Sequence, residues 1–196
     1  MKIFLPSRIG FCFGVTNALQ LAELELKKKG DPVYSLGEII HNPWVIEELT
    51  KRGMKVISDL SSINKGTVIT RAHGIDPSLI KEGKRRGLRV IDATCPYVAK
   101  VQKIAKLLSG QSYQVVMIGS ESHPEIRAVK ANIPNQKLHI LNGPAQVKNL
   151  PLSKKIGVIV QTTELLDNFQ NIVKNLIERK GEIRVFNTIC EVIMQS

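Results

Sequence analysis

Leu88-Arg89-Val90-Ile91-Asp92-Ala93-Thr94-Cys95-Pro96 decides how this chain is read. Its apolar start has the length and flanks of a short strand, and from Tyr97 the apolar spacing turns helical. Pro96 suits the first turn of that helix and cannot sit inside the strand. A thiol is thus presented at a strand's carboxyl end, ahead of a helix N-terminus, where free N–H groups and the helix dipole favour a thiolate. Two further cysteines have similar settings. Cys12 lies in Gly10-Phe11-Cys12-Phe13-Gly14 before a long helical pattern, and Cys190 lies in Asn187-Thr188-Ile189-Cys190 after a strand over 183–186. Three lone cysteines, far apart in sequence and each at a strand end, could converge on one point.

The same alternation extends in both directions. Strands are predicted over 2–5, 32–36, 55–57, 67–70 and 88–91, with helices over 15–29, 44–52 and 77–86. Beyond Cys95 a helix runs to about 108, followed by strands over 114–118, 138–141 and 156–160 and helices over 124–130 and 165–179. This pattern predicts an α/β fold of two similar domains, residues 1–96 and 97–196, with small, mainly parallel sheets covered by helices. In open sheets of this kind ligands bind beyond the carboxyl ends of the strands. Polar residues fall there repeatedly: Arg71-Ala72-His73-Gly74, Ser120-Glu121-Ser122-His123-Pro124-Glu125 and Gln161-Thr162-Thr163 each follow a strand, and His41 precedes a helix in the same manner.

Composition limits the alternatives. The 196 residues are 43% hydrophobic and 23% charged, ordinary for a globular protein with a substantial core. No apolar run approaches the roughly 18 residues that span a bilayer, and the first residues do not resemble a secretory signal, so a cytoplasmic chain without membrane partners is predicted. Three cysteines with no close pair argue against a disulfide framework. The net charge of +11 is spread over basic groups at Lys27-Lys28-Lys29, residues 81–89 and Lys154-Lys155, mostly at helix ends. Aromatic residues are 5% of the chain and do not interleave with basic ones, so nucleic acid is not an expected partner; an anionic substrate or an acidic redox protein is.

Each candidate has an ordinary explanation as well. A single cysteine is often a small buried hydrophobe. Structural zinc wants four ligands with a close pair, and no C-x-x-C occurs. A Cys–His nucleophile and base would use one thiol and leave two idle. Three thiolates suit an iron–sulfur cluster with one open iron. His139, within a strand, has no polar neighbour of note in the sequence. His41, His73 and His123, each beside Gly or Pro at a strand-to-helix junction, would make a donor cluster suited to phosphate. Glu125 is a first-turn helix residue that could carry protons if burial raised its pKa.

Gly10-Phe11-Cys12-Phe13-Gly14-Val15, His41-Asn42, Arg71-Ala72-His73-Gly74, Asp92-Ala93-Thr94-Cys95-Pro96, His123-Pro124-Glu125, Gln161-Thr162-Thr163 and Thr188-Ile189-Cys190, in this order, resemble the motifs of the 4-hydroxy-3-methylbut-2-enyl diphosphate reductases, the IspH or LytB family. The resemblance runs from Phe4 to Cys190. It implies a 4Fe-4S cluster on Cys12, Cys95 and Cys190, with an open iron for the substrate hydroxyl. It further implies His41, His73 and His123 at the diphosphate, Glu125 as proton relay, Thr162 orienting the hydroxyl, and a ferredoxin or flavodoxin as electron donor. The reaction implied is reductive dehydroxylation to isopentenyl and dimethylallyl diphosphates. The resemblance also implies a third α/β domain after the last cysteine, carrying a Ser-x-Asn-Ser loop for the diphosphate; the sequence here runs only to Ser196. Losing such donors would cost roughly 1.5–3 kcal/mol each, so a remnant that binds a cluster without turnover is the alternative, as is a thiol or zinc hydrolase. Arg127-Ala128 stands where a small, glycine-containing turn is expected.

Overall fold

The computed structural model describes residues 10–28, 30–133, 137–151, 153–179 and 181–194. The strand expected over 2–5 lies outside them.

Among the described residues two four-stranded sheets, every pairing parallel, form the frame. The first holds β1 (Val33–Leu36), β2 (Met54–Ile57), β3 (Thr67–Ile69) and β4 (Arg89–Ile91) in the order β2-β1-β3-β4. The second holds β5 (Gln114–Ile118), β6 (Leu138–Leu141), β7 (Lys155–Val160) and β8 (Glu182–Val185) in the order β6-β5-β7-β8. Within each sheet the first strand pairs with both the second and the third, so Val33 is in register with Met54 and Thr67, and Val115 with Leu138 and Gly157. The winding reverses between the two central strands, which opens a crevice at their carboxyl ends.

Two-sided burial explains the apolar character of the central strands. In the second sheet Val115, Met117 and Ile159 pack against Val101, Ala105 and Leu108 of α4 (Pro96–Gly110) and Ile126 and Val129 of α5 (Pro124–Lys130). The alternate residues Val116, Ile118, Val158 and Val160 pack against Phe169, Ile172 and Leu176 of α6 (Leu166–Ile177). Ile172 and Leu176 are fully buried, a contribution of about 1.5–3 kcal/mol each. Gly157 lets α4 lie against β7, since a Cβ there would sit 2.6 Å from Leu108 Cδ2. In the first sheet Ala18 and Ala22 of α1 (Phe13–Lys27) and Leu49 of α2 (Pro43–Lys51) cover one face with Met54 and Ile69. Leu60, Ile63, Ile75 and Leu88, with α3 (Pro77–Arg85), cover the other.

Helix boundaries follow their caps. Asn42 Oδ1 accepts the Val45 N–H at 3.2 Å and Asp76 Oδ1 that of Ser78 at 2.8 Å, each ahead of a proline in the first turn. α1 starts at Phe13, earlier than the expected 15, because Cys12 is itself the cap residue. A 3-10 turn (Pro144–Asn149) and a short helix α7 (Glu191–Met194) were not legible from periodicity, being too short to show one. Among the described residues no helix is long and apolar enough to cross a membrane.

Candidate functional site

Each cysteine precedes a helix, and the cysteine carbonyl accepts that helix's first bond: Cys12 from Thr16 N–H at 2.9 Å, Cys95 from Ala99 at 2.9 Å, Cys190 from Met194 at 3.1 Å. All three thiols are free. The loop to Cys95 is fixed by Asp92, whose Oδ1 accepts from Thr70 Oγ1 at 2.9 Å and from Thr94 N–H at 3.0 Å. Cys95 N–H then donates to Ala72 O at 2.9 Å, which ties the thiol to the loop that carries His73. The second unit repeats the device, with Cys190 N–H donating to Thr162 O at 2.8 Å. The first turn of α1 comes against Cys95 at Gly14, where a Cβ would lie 2.5 Å from the Cys95 Sγ. The expectation that a helix start alone favours the thiolate fails for Cys95. Burial pushes its thiol up, the Tyr97 and Val98 N–H groups pull it down less strongly, and the neighbouring Cys190 and Cys12 push it up further.

The three loop histidines meet. His41 and His73 ring centroids are 4.3 Å apart, His73 and His123 5.6 Å, and His41 and His123 6.3 Å. They emerge from both crevices: His41 after β1, His73 after β3 and His123 after β5. His123 caps α5, its Nδ1 accepting the Glu125 N–H at 3.3 Å. Burial, then the proximity of His41, His123 and Arg71, lowers His73 to about 4, and burial with His41 and Arg127 lowers His123. His73 Nδ1 is buried without a hydrogen-bond partner among the described residues.

Glu125, 1% exposed, is held by a residue of the other crevice strand. Its carboxylate accepts the Thr162 N–H at 3.0 Å and the Thr162 hydroxyl at 2.6 Å. Burial outweighs these bonds and pushes Glu125 up to about 7. Thr162 is therefore bonded at once to Glu125 and, through its carbonyl, to Cys190. His139 stands apart on β6, and contrary to expectation it has a polar neighbour, Gln114 Nε2 at 3.0 Å from its Nε2.

Sequence reasoning assigned no role to Arg71, although its place beside His73 at a strand end was a signal. Its side chain lies on Gly37, and its Nε is buried without a hydrogen-bond partner among the described residues. The ligating nitrogens of the three histidines all lie within 4.8 Å of one another, a set that could take a metal ion. Arg71 and Arg127 oppose protonation of these same rings, and a metal cation would meet the same repulsion. An anion suits the imidazole cluster better, while the three thiols are the soft-metal donors.

Residues 3–195 match the profile of the LytB protein family. Over 191 residues, 97% of the chain, it is 43% identical to the 4-hydroxy-3-methylbut-2-enyl diphosphate reductase of Geobacter sulfurreducens, covering 67% of that protein. It is 41% identical to the enzyme of the same name from Pelobacter propionicus, covering 68% of it. A solved structure of (E)-4-hydroxy-3-methyl-but-2-enyl diphosphate reductase superposes with a TM-score of 0.84 at 36% identity, over 93% of this chain and 66% of that one. The Plasmodium falciparum reductase superposes with a TM-score of 0.87 at 31% identity, over 94% of this chain and 59% of that one. The chain thus spans about two thirds of the length of the relatives it matches. An α/β chain with two parallel sheets, matched over nearly all its length by profile, sequence and structure, belongs to the LytB family.

Proposed function

We propose that this chain is an iron–sulfur reductase of isoprenoid precursor synthesis, removing the hydroxyl of 4-hydroxy-3-methylbut-2-enyl diphosphate to give isopentenyl and dimethylallyl diphosphates. The observation that carries the reading is the pair of backbone bonds from Cys95 to Ala72 and from Cys190 to Thr162, which sets two thiols beside His73 and beside the Thr162–Glu125 pair. The domain division at 96/97 puts two of the thiols in one unit and the third, with Glu125, in the other.

Cys12, Cys95 and Cys190 would hold a 4Fe-4S cluster. Three free thiols at helix starts fit its donor chemistry, and Gly14 leaves space at Cys95 that a side chain would fill. When bound, such a cluster supplies electrons and an open iron that polarises the hydroxyl oxygen. The imidazole cluster offers N–H donors to the diphosphate and places the hydroxyl toward the thiols. Thr162 Oγ1 orients that hydroxyl, and Glu125 holds a proton near neutral pH because burial raises its pKa. Two electrons and two protons enter for each C–O bond broken, and water leaves. Thr162 Oγ1, bonded to the Glu125 carboxyl, is the route for the proton that the leaving oxygen needs. The net charge of +11 suits an acidic electron donor, a ferredoxin or flavodoxin.

The test is anaerobic reconstitution followed by addition of the hydroxy-diphosphate, watching reduced viologen oxidise. Turnover with bound iron and sulfide, both lost in Cys95→Ser, is the expected result. Iron and sulfide without turnover would mean a cluster protein that is not an enzyme, and bound zinc in place of iron would favour a hydrolase.

A further inference from the structure

We infer that the lysine face of α4, with the hollow at the start of that helix, is the docking surface for a small acidic electron-carrier protein. The inference rests on the proposed function for the kind of partner, and adds to it the place where that partner sits.

The charge along α4 has no local explanation. The helix carries Lys100, Lys103 and Lys106 and no acid, whereas each of the other described α-helices holds at least one carboxylate. A carboxylate one turn away, the usual companion of a helix lysine, is thus not on offer within α4. The helix dipole does not account for the lysines either. The last turn of α4 holds no basic residue, and Lys100 lies in its second turn, toward the positive end. All three lysines are exposed. Spaced three residues apart, they span about 120° of the helix surface. That arc lies opposite the buried stripe of Val98, Val101, Ala105 and Leu108. Leu107, 51% exposed, stands one turn beyond Lys103 on the same face, an apolar spot among cations of the kind that interfaces cover. On the other side of the sheet α6 sets one lysine, Lys174, against one acid, Asp167.

The face leads to two of the thiols. Lys100 lies about 7.5 Å along the helix axis from Cys95. It also lines a hollow of about 290 Å³ with Tyr97, Thr188, Ile189, Glu191 and Met194. Tyr97 is two residues past Cys95 and Glu191 follows Cys190, so the hollow opens on the helix starts that carry both thiols. Glu191, the acid in this lining, is engaged by the Tyr97 hydroxyl, which donates to its Oε2 at 3.1 Å. Gln102, on another side of α4, meets the histidine crevice: a Cβ on Gly74, next to His73, would stand 2.4 Å from Gln102 Nε2. A carrier on the lysine face therefore approaches the thiols without entering the crevice proposed for the diphosphate. An acidic surface is drawn to such a face and oriented by it. Each reduced carrier gives up one electron, and two are oxidised for every hydroxyl removed, with one proton going to the departing water and one to the carbon skeleton.

The experiment is calorimetric titration of oxidised flavodoxin, a probe that brings no iron of its own, into the reconstituted full chain at low salt. One triple variant, Lys100→Gln with Lys103→Gln and Lys106→Gln, strips the face of charge with a residue that keeps helix propensity. A second, Lys81→Gln with Lys148→Gln and Lys174→Gln, removes the same net charge from exposed positions on α3, the 3-10 turn and α6. Thermal unfolding and iron content establish that both fold and load. The expected result is at least tenfold weaker binding in the α4 variant and less than a twofold change in the other, with the difference gone at about 1 M salt, where charges are screened within roughly 3 Å. Turnover driven by reduced viologen should stay within twofold in both. Equal loss in the two variants would mean that net charge alone draws the carrier and overturns the inference, as would a loss below twofold in the α4 variant. No flavodoxin binding by a wild-type chain that turns over with viologen overturns the inference and leaves the proposed function standing. Flavodoxin binding lost only in the α4 variant, by a chain that loads iron yet shows no viologen turnover, upholds the docking surface and removes the proposed function.

Discussion

Replacing Glu125 by Gln tests whether burial sets the protonation of the site. The folded chain holds Glu125 at about 7 against an ordinary 4.5, so between those values the folded state binds more protons than the unfolded state. Stability from this residue is therefore complete below about pH 4.5, falls as pH rises, and levels off above 7. A shift of that size corresponds to about 3 kcal/mol, of which roughly 2 to 3 lies between pH 5 and 8.5. Gln keeps the volume, still accepts the Thr162 N–H through its amide oxygen and can donate its amide N–H to the Thr162 hydroxyl oxygen as the protonated acid does, so its own cost is below about 1 kcal/mol and does not vary with pH. The assay is urea unfolding of wild type and Glu125→Gln at both pH values. Opposite-signed contributions from His73 and His123 are present in both proteins and largely cancel in the double difference. Relative to wild type, the variant should gain about 2 to 3 kcal/mol on going from pH 5 to 8.5. A change below about 0.5 kcal/mol would refute the reasoning, since Glu125 would then titrate near its ordinary value. In the viologen assay the same variant should retain iron and sulfide while turnover falls at least about a hundredfold.

Two further outcomes follow from the site. Gly14→Ala places a methyl group 2.5 Å from Cys95 Sγ, so the variant should fold with little change in melting temperature yet retain well under half the wild-type iron after reconstitution; full iron would show that the thiol has room to move. His73, lowered to about 4, should give an NMR titration with no protonation down to pH 5.5, and its share of stability, intact above its ordinary 6.5, should be lost as pH falls through about 4; a midpoint near 6.5 would contradict the burial argument.

Most of the fold was legible because its signals are local. Apolar runs such as 114–118 and 156–160 are strands buried on both faces, and Asn42-Pro43, Asp76-Pro77 and His123-Pro124 mark helix starts through capping chemistry that a few residues determine. The strand order was not legible, since nothing within β1 states that it pairs with both β2 and β3. The candidate site was visible as residue types at strand ends, and the structure brings His41, His73 and His123 together there. What the sequence could not show was sign and balance. The Cys95 thiol is pushed up although it heads a helix, because burial depends on long-range packing, and the orphaned Nε of Arg71 depends on Gly37 in a loop more than thirty residues away.

The two sheets share a strand order and a backbone bond to a cysteine, and the side chains around that bond differ in a way that fits a division of labour. Ala72 and Thr162 occupy corresponding places, each carbonyl receiving a cysteine N–H. Ala72 contributes only a methyl group, and its neighbour His73 faces the other imidazoles. Thr162 adds a hydroxyl, and Glu125 takes it. The hydroxyl links between strand end and cysteine loop are also reversed: in the first unit Thr70 of the strand end accepts the loop N–H of Ala93, and in the second Thr188 of the loop accepts the strand N–H of Val160. Either arrangement satisfies a buried donor and keeps the loop on the sheet. With the backbone thus secured twice by different side chains, the proposed roles can separate, ligand binding concentrating where the imidazoles meet and proton transfer where Thr162 and Glu125 pair.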